Sequence, residues 1–236
     1  MIKQYKQGNQ VIWYDSRLID QPSDLLFDSS YWQQQQRVLG SAQGRGITWF
    51  VDMGPCHAAL RHYRRGGLFG KLVEDKYLFT GWEQTRAYQE LILLDQLKQA
   101  GVNVPKPIAA RATKSGLSYQ ADILVEKIPG ACDLVSILKQ GKLSEKSYYH
   151  IGQMIAQMHQ QQVNHTDLNI HNILLDSSQA VWIIDFDKCR KEAGAHWKQK
   201  NLERLKRSFA KECQRFAIHW SESDWLPLQQ GYSDQI

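Results

Sequence analysis

The chain has 236 residues, an apolar share of 42% and a formal net charge of +5. That is enough apolar matter for a sizeable core, which excludes general disorder, and the mild positive charge suits an anionic partner without demanding one. No stretch reaches the ~18 consecutive apolar residues of a spanning helix, and no long Lys/Arg block or nucleic-acid-binding motif occurs.

Residues 1–10 are polar and lack the apolar centre of a signal segment. Cys56, Cys132, Cys189 and Cys213 are scattered and form neither a CxxC pair nor a zinc set. Together these predict a cytosolic protein with reduced thiols, able to lie against a membrane without crossing it.

The run 11–14 has strand character, and the glutamines at 33–36 read as surface. Residues 38–51 form two strand-like segments around a turn containing Gly44 and Gly46. Without side chains there, backbone N–H groups can approach phosphate oxygens, although the same turn also reads as an ordinary hairpin. After Gly54-Pro55, residues 58–63 predict a strand carrying Arg61. Alternation puts Arg61, Tyr63 and Arg65 on one face, with His62 and Arg64 on the other. The cluster 61–65 reads either as a solvated basic patch or as a surface for anions.

A long helical pattern follows Trp82 and runs to Ala100, with Leu91, Leu94 and Leu97 on one side. Gly101 ends it, and Pro105 and Pro107 prevent its resumption. Two acids, Glu83 and Glu90, belong to this region, and Glu90 is favoured because leucines follow it at core spacing. Residues 108–113 and 117–125 predict a hairpin, and 126–130 a connecting hinge. A short helix at 133–140 precedes one capped by Ser144 and running to about Gln160, with Ile151, Met154, Ile155 and Met158 at helical spacing.

That helix leads to His165-Thr166-Asp167, with Asn172 five positions after the aspartate. Two short apolar strands, 173–175 and 181–184, then close on Asp185-Phe186-Asp187. This order resembles the catalytic and metal-binding loops of protein kinases. The resemblance implies that Asp167 accepts the proton of an attacking hydroxyl, that Asn172 and Asp185 hold Mg2+ on ATP, and that His165 is a structural brace. It implies further that Gly44 and Gly46 cover the nucleotide, that Arg61 binds its phosphates and is positioned by Glu90, and that Glu126 meets adenine through its backbone. A kinase ordinarily has lysine where Arg61 stands, so Lys71 and Lys76 remain alternatives.

The implied architecture is α+β and protein-kinase-like. Residues 1–126 would form a mainly antiparallel β lobe with one long helix, and 127–236 a small, mainly helical lobe. In the tail, 196–217 predicts an amphipathic helix with Leu202, Leu205, Phe209 and Phe216 inward, and Trp220, Trp225 and Leu226 packing back. There is no A-P-E signature, and so short a tail points to a small acceptor rather than a protein.

Segments 60–71 (LRHYRRGGLFGK) and 40–46 (GSAQGRG), together with Ile184-Asp185-Phe186-Asp187, resemble the 3-deoxy-D-manno-octulosonic acid (Kdo) kinases of Gram-negative bacteria over nearly the whole chain. That resemblance implies phosphorylation of the 4-hydroxyl of Kdo on a lipid A precursor. It implies ATP and Mg2+, and peripheral contact with the anionic inner membrane on its cytoplasmic side, with no nucleic-acid partner. Three rivals stand beside it: another acceptor such as a heptose or aminoglycoside, a non-catalytic nucleotide-binding scaffold, and a basic module that binds membranes or nucleic acids.

Overall fold

The computed structural model describes residues 1–44, 46–65 and 75–236. Arg45 and residues 66–74 lie outside the described residues, and with them Lys71 and part of the 60–71 segment. The chain forms two compact units, Met1–Asp95 with Lys106–Lys127, and Gln96–Pro105 with Ile128–Ile236.

The first unit is built on a sheet whose strands are β1 (Ile2–Gln7), β2 (Gln10–Asp15), β3 (Val38–Gln43), β4 (Ile47–Asp52), β5 (His57–His62), β6 (Tyr77–Leu78), β7 (Pro107–Ser115) and β8 (Ser118–Glu126). Their order is β1-β2-β7-β8-β5-β4-β3, with β6 added to β8. Every described pairing is antiparallel. The sequence gives no sign of β1, because an edge strand needs no apolar alternation. Its residues after Ile2 are exposed, and its lysines, Lys3 and Lys6, suit a position where further pairing must be discouraged.

One face of the sheet buries Ile12, Val51, Leu60, Ile108 and Leu124 against Phe27 and Trp32. Trp32 lies in α1 (Ser29–Gln34), whose first turn is capped by the Asp28 carboxylate accepting from Ser30 N–H at 2.8 Å. Each large side chain buried there contributes about 1.5–3 kcal/mol. The opposite side chains of β2 face α2 (Arg86–Gln99), where Trp13 meets Tyr88 with ring centroids 5.0 Å apart. Leu91 and Leu94 are fully buried, and Gly101 follows the helix at φ +81°, a backbone region open to glycine at little cost.

In the second unit, β9 (Cys132–Asp133) leads into α3 (Leu134–Gln140), and α4 (Glu145–Gln160) is capped by Ser144, which accepts from Ser147 N–H. The short strands β10 (Val163–Asn164), β11 (Ile173–Leu175), β12 (Val181–Ile183) and β13 (Arg190–Lys191) follow, then α5 (His196–Phe216) and α6 (Trp225–Ser233). Helices α4 and α6 cross at two glycines. A Cβ on Gly152 would overlap the Leu228 carbonyl oxygen and lie 2.7 Å from Tyr232 N, and one on Gly231 would lie 2.7 Å from the Tyr149 carbonyl carbon.

The tail departs from expectation at two residues. Phe216 has the predicted helical phase but is 37% exposed, because residues 214–217 at the end of α5 are all exposed; the Lys139 ammonium covers its ring at 3.6 Å. Leu226 is 65% exposed, while Trp225 one position before it is buried and Trp220 stacks on Phe209 at 5.2 Å. A Trp-Leu pair at the start of a surface helix can turn only one of its members inward.

Candidate active site

In the first unit, Arg61 near the end of β5 and Tyr63 just after that strand both meet Glu90 of α2. Arg61 Nη2 donates to the Glu90 carboxylate oxygens at 2.7 and 2.6 Å, and the Tyr63 hydroxyl donates to Oε2 at 2.6 Å. Glu90 is 5% exposed, so its charge is compensated in a poorly solvated place. Glu83 lies in the preceding 3-10 turn, Trp82–Gln84. His62 projects to the opposite face, where Asp122 lies 2.7 Å and Asp75 3.3 Å away. The Asp122 carboxylate raises the imidazole's pKa above its ordinary value against the opposing effect of burial.

The Gly44–Gly46 turn joins β3 and β4, with Gly44 N–H donating to the Gly46 carbonyl at 2.9 Å. A Cβ at Gly46 would lie 2.9 Å from Arg64 Cδ, so that glycine makes room for the arginine stem. At the end of β8, Glu126 N–H donates to the Lys106 carbonyl and Lys127 N–H to the His57 carbonyl, each at 2.9 Å. Both of these amides are used inside the sheet.

In the second unit, a set of bonds ties together the stretches of main chain that carry Asp167, Asn172 and Asp185. Asn172 Nδ2 donates to the Asp167 carbonyl at 3.0 Å, and Asn169 Nδ2 to the same oxygen at 2.8 Å. The Asn172 carbonyl accepts from Ile184 N–H at 2.9 Å, which fixes the residue before Asp185. His165, fully buried, reaches the Ile184 carbonyl with Nε2 at 3.0 Å, and its ring meets Phe186 edge-on at 4.9 Å. Burial holds the His165 pKa below its usual value, so the ring is neutral, with Nε2–H as donor and Nδ1 unprotonated. Asp185 has φ +61°, a left-handed conformation that aspartate tolerates better than most residues. The catalytic-loop pattern, the two strands and the acidic ending thus occupy one neighbourhood.

With its nitrogen bound to Asp167, Asn172 turns its amide oxygen elsewhere. An amide oxygen and a carboxylate are hard donors of the kind magnesium accepts. Among the described residues no group of three or more His, Cys, Asp or Glu could hold a metal. A cation here would therefore complete its shell with water and phosphate oxygens, as magnesium commonly does.

The motif alone did not reveal what supports this loop. Asn201 of α5 accepts from His165 N–H at 3.0 Å and donates to Asn164 at 2.9 Å. His159, buried and neutral with its pKa lowered to about 4, lies between Asn201 and the Tyr232 hydroxyl. Ser208 accepts from Ile170 N–H at 3.1 Å, and Arg204 Nη2 donates to Asp167 Oδ1 at 2.5 Å. Spacings of three and four residues put 201, 204 and 208 on one face of α5. That periodicity is legible in the sequence, but the loop it supports is not.

An antiparallel sheet with its Arg–Glu pair, followed by a mainly helical unit carrying H-x-D, Asn and D-F-D in that spatial association, defines an α+β protein with a protein-kinase-like fold. The sequence pattern of the "Lipopolysaccharide kinase (Kdo/WaaP) family" matches residues 29–232. A protein of Vibrio parahaemolyticus named 3-deoxy-D-manno-octulosonic acid kinase is 62% identical, covering 99% of this chain and 98% of its own. Identically named proteins of Vibrio vulnificus and Haemophilus influenzae are 57% and 47% identical, covering 100% of both chains, and 97% and 98% respectively. The chain belongs to the lipopolysaccharide kinase family, and is thus a phosphotransferase.

Proposed function

We propose that this kinase uses ATP to phosphorylate the 4-hydroxyl of Kdo on a lipid A precursor during lipopolysaccharide inner-core biosynthesis. The observation that carries the reading is near-full-length identity of 62% to a protein bearing the Kdo kinase name. The association of Asp167, Asn172 and Asp185 described above supports it chemically.

Asp167 is assigned as the base that orients the sugar hydroxyl and takes its proton. The hydroxyl oxygen bonds to the γ-phosphorus as that atom's bond to the β–γ bridging oxygen breaks, and ADP leaves with the electron pair. Asn172 and Asp185 are assigned to Mg2+, which when bound neutralises charge on the nucleotide phosphates. Arg61, positioned by Glu90, is assigned to those phosphates, with Gly44 and Gly46 over them. Because its N–H is used in the sheet, Glu126 would meet the base through its carbonyl oxygen. Barrier lowering comes mainly from positioning and charge neutralisation.

No described helix is long and apolar enough to cross a membrane. Peripheral contact at the cytoplasmic face of the inner membrane, through electrostatic attraction, gives a basic enzyme access to its lipid acceptor. The test incubates the protein with Mg-ATP and Kdo-bearing lipid A precursor and reads the sugar by mass spectrometry. One added phosphate is expected. Asp167→Ala should bind nucleotide but lose transfer by about 10²-fold or more. An unchanged acceptor with active wild-type protein overturns the substrate, and full activity of the variant removes Asp167 from its role.

A further inference from the structure

The α5 helix carries Lys200, Arg204, Arg207, Lys211 and Arg215, spaced by four, three, four and four residues. That interval keeps all of them on one face, and all are exposed. The row extends about 22 Å along the helix at 1.5 Å per residue. Among the described residues neither Lys200 nor Lys211 has a carboxylate within ion-pair distance, and Arg207 has only Glu203 at 3.9 Å. The basic cluster at 61–65 differs, since Arg61 and His62 there already have carboxylate partners.

The row touches the catalytic loop at one point. Arg204 Nη2 meets Asp167 Oδ1, and both side chains remain open to solvent, 49% and 37% exposed. An exposed ion pair of this sort adds little to stability, so folding gives weak reason for placing a cation there. A guanidinium has five N–H donors in a planar fork, and a single contact with Asp167 leaves geometry for a second carboxylate.

We propose that Arg204 is the subsite for the carboxylate of the acceptor sugar. The remaining cations of the row receive the phosphates of its lipid part. The inference rests on the acceptor assigned above. In Kdo the carboxylate is attached two ring carbons from the 4-hydroxyl, so one sugar reaches both members of the Arg204–Asp167 pair. Arg204 holds the acid group, and Asp167, fixed by the same guanidinium, faces the hydroxyl.

The test uses a water-soluble Kdo glycoside as the free acid and as its neutral methyl ester. The wild-type enzyme should prefer the acid by about tenfold or more in kcat/KM, the loss expected when a charge-assisted hydrogen bond is removed. Arg204→Gln should abolish that preference with KM for ATP unchanged, and Arg204→Lys should retain part of it. Equal use of acid and ester by wild type, or an undiminished preference in Arg204→Gln, overturns the subsite. Absence of transfer to any Kdo acceptor would instead overturn the substrate assignment. For the row, Lys211→Gln with Arg215→Gln should raise KM for the lipid-bearing acceptor and leave the soluble glycoside unaffected. An unchanged KM for the lipid acceptor refutes that part.

Discussion

Replacing Glu90 by glutamine keeps the volume and removes the charge that Arg61 and Tyr63 share. Glu90 is 5% exposed and the Arg61 side chain 26%, so one partner is dry and the other partly wet. Breaking a fully buried pair costs about 3–5 kcal/mol, because a charge is left without compensation. Water reaching Arg61 reduces this, and one amide oxygen remains to accept, which brings the expected loss to about 2–3 kcal/mol. For a chain of this size each kcal/mol lowers Tm by roughly 2–4 °C, giving a fall of about 4–12 °C. Thermal and urea unfolding of wild type, Glu90→Gln, Arg61→Met and the double variant would measure it. The double variant should be more stable than the sum of the single losses implies, by about 1 kcal/mol or more. A Glu90→Gln protein within about 0.5 kcal/mol of wild type, or strict additivity of the losses, would refute the account of this carboxylate as the fixed point for Arg61.

Gly231→Ala should cost about 3 kcal/mol or prevent folding of the second unit, since α4 and α6 must part to admit the methyl group. Gly141→Ala, with nothing within 4 Å of the added carbon, should stay near wild type in the same denaturation assay. Acid should also destabilise the protein through His159. Its pKa is about 4 in the fold against 6.5 in the unfolded chain, so the unfolded state binds a proton first as pH falls. Stability then decreases through pH 6.5 and levels off below about 4, a loss of about 3 kcal/mol, and His165 acts in the same direction. His62 works oppositely. Its raised pKa gives stability that is present below 6.5 and lost as pH rises through the folded value. Urea titrations between pH 4 and 8 should show His159→Phe flattening only the acid limb, and an unchanged acid limb would refute the assignment.

Much of the fold was legible because its elements carry local signals. The Gly101 cap, the Ser144 cap and the two strands around Asp176 were readable from neighbours in sequence. Pairing of distant parts was less so. Nothing local announces that β2 lies beside β7, or that the mostly exposed β1 forms an edge. The spacing of Asp167, Asn172 and Asp185 identified the loops, since the motif encodes their association. Arg204 was legible only as one cation in a helical row, because its meeting with Asp167 spans 37 residues and depends on how α5 packs. Similarly, Gly152 and Gly231 look unremarkable in sequence, and their purpose exists only where two helix backbones approach.

The amide at position 172 works from both ends. Its N–H clasps the main chain at Asp167, so the oxygen end can point toward whatever the loop receives. An aspartate there would be the stronger cation ligand in isolation, yet it would set an anion against the Asp167 carbonyl and have no proton to offer. Residue choice at this point is therefore governed by the lashing of one loop to another as much as by chemistry at the oxygen. A substitution that appears to improve the ligand would loosen the frame that aims it.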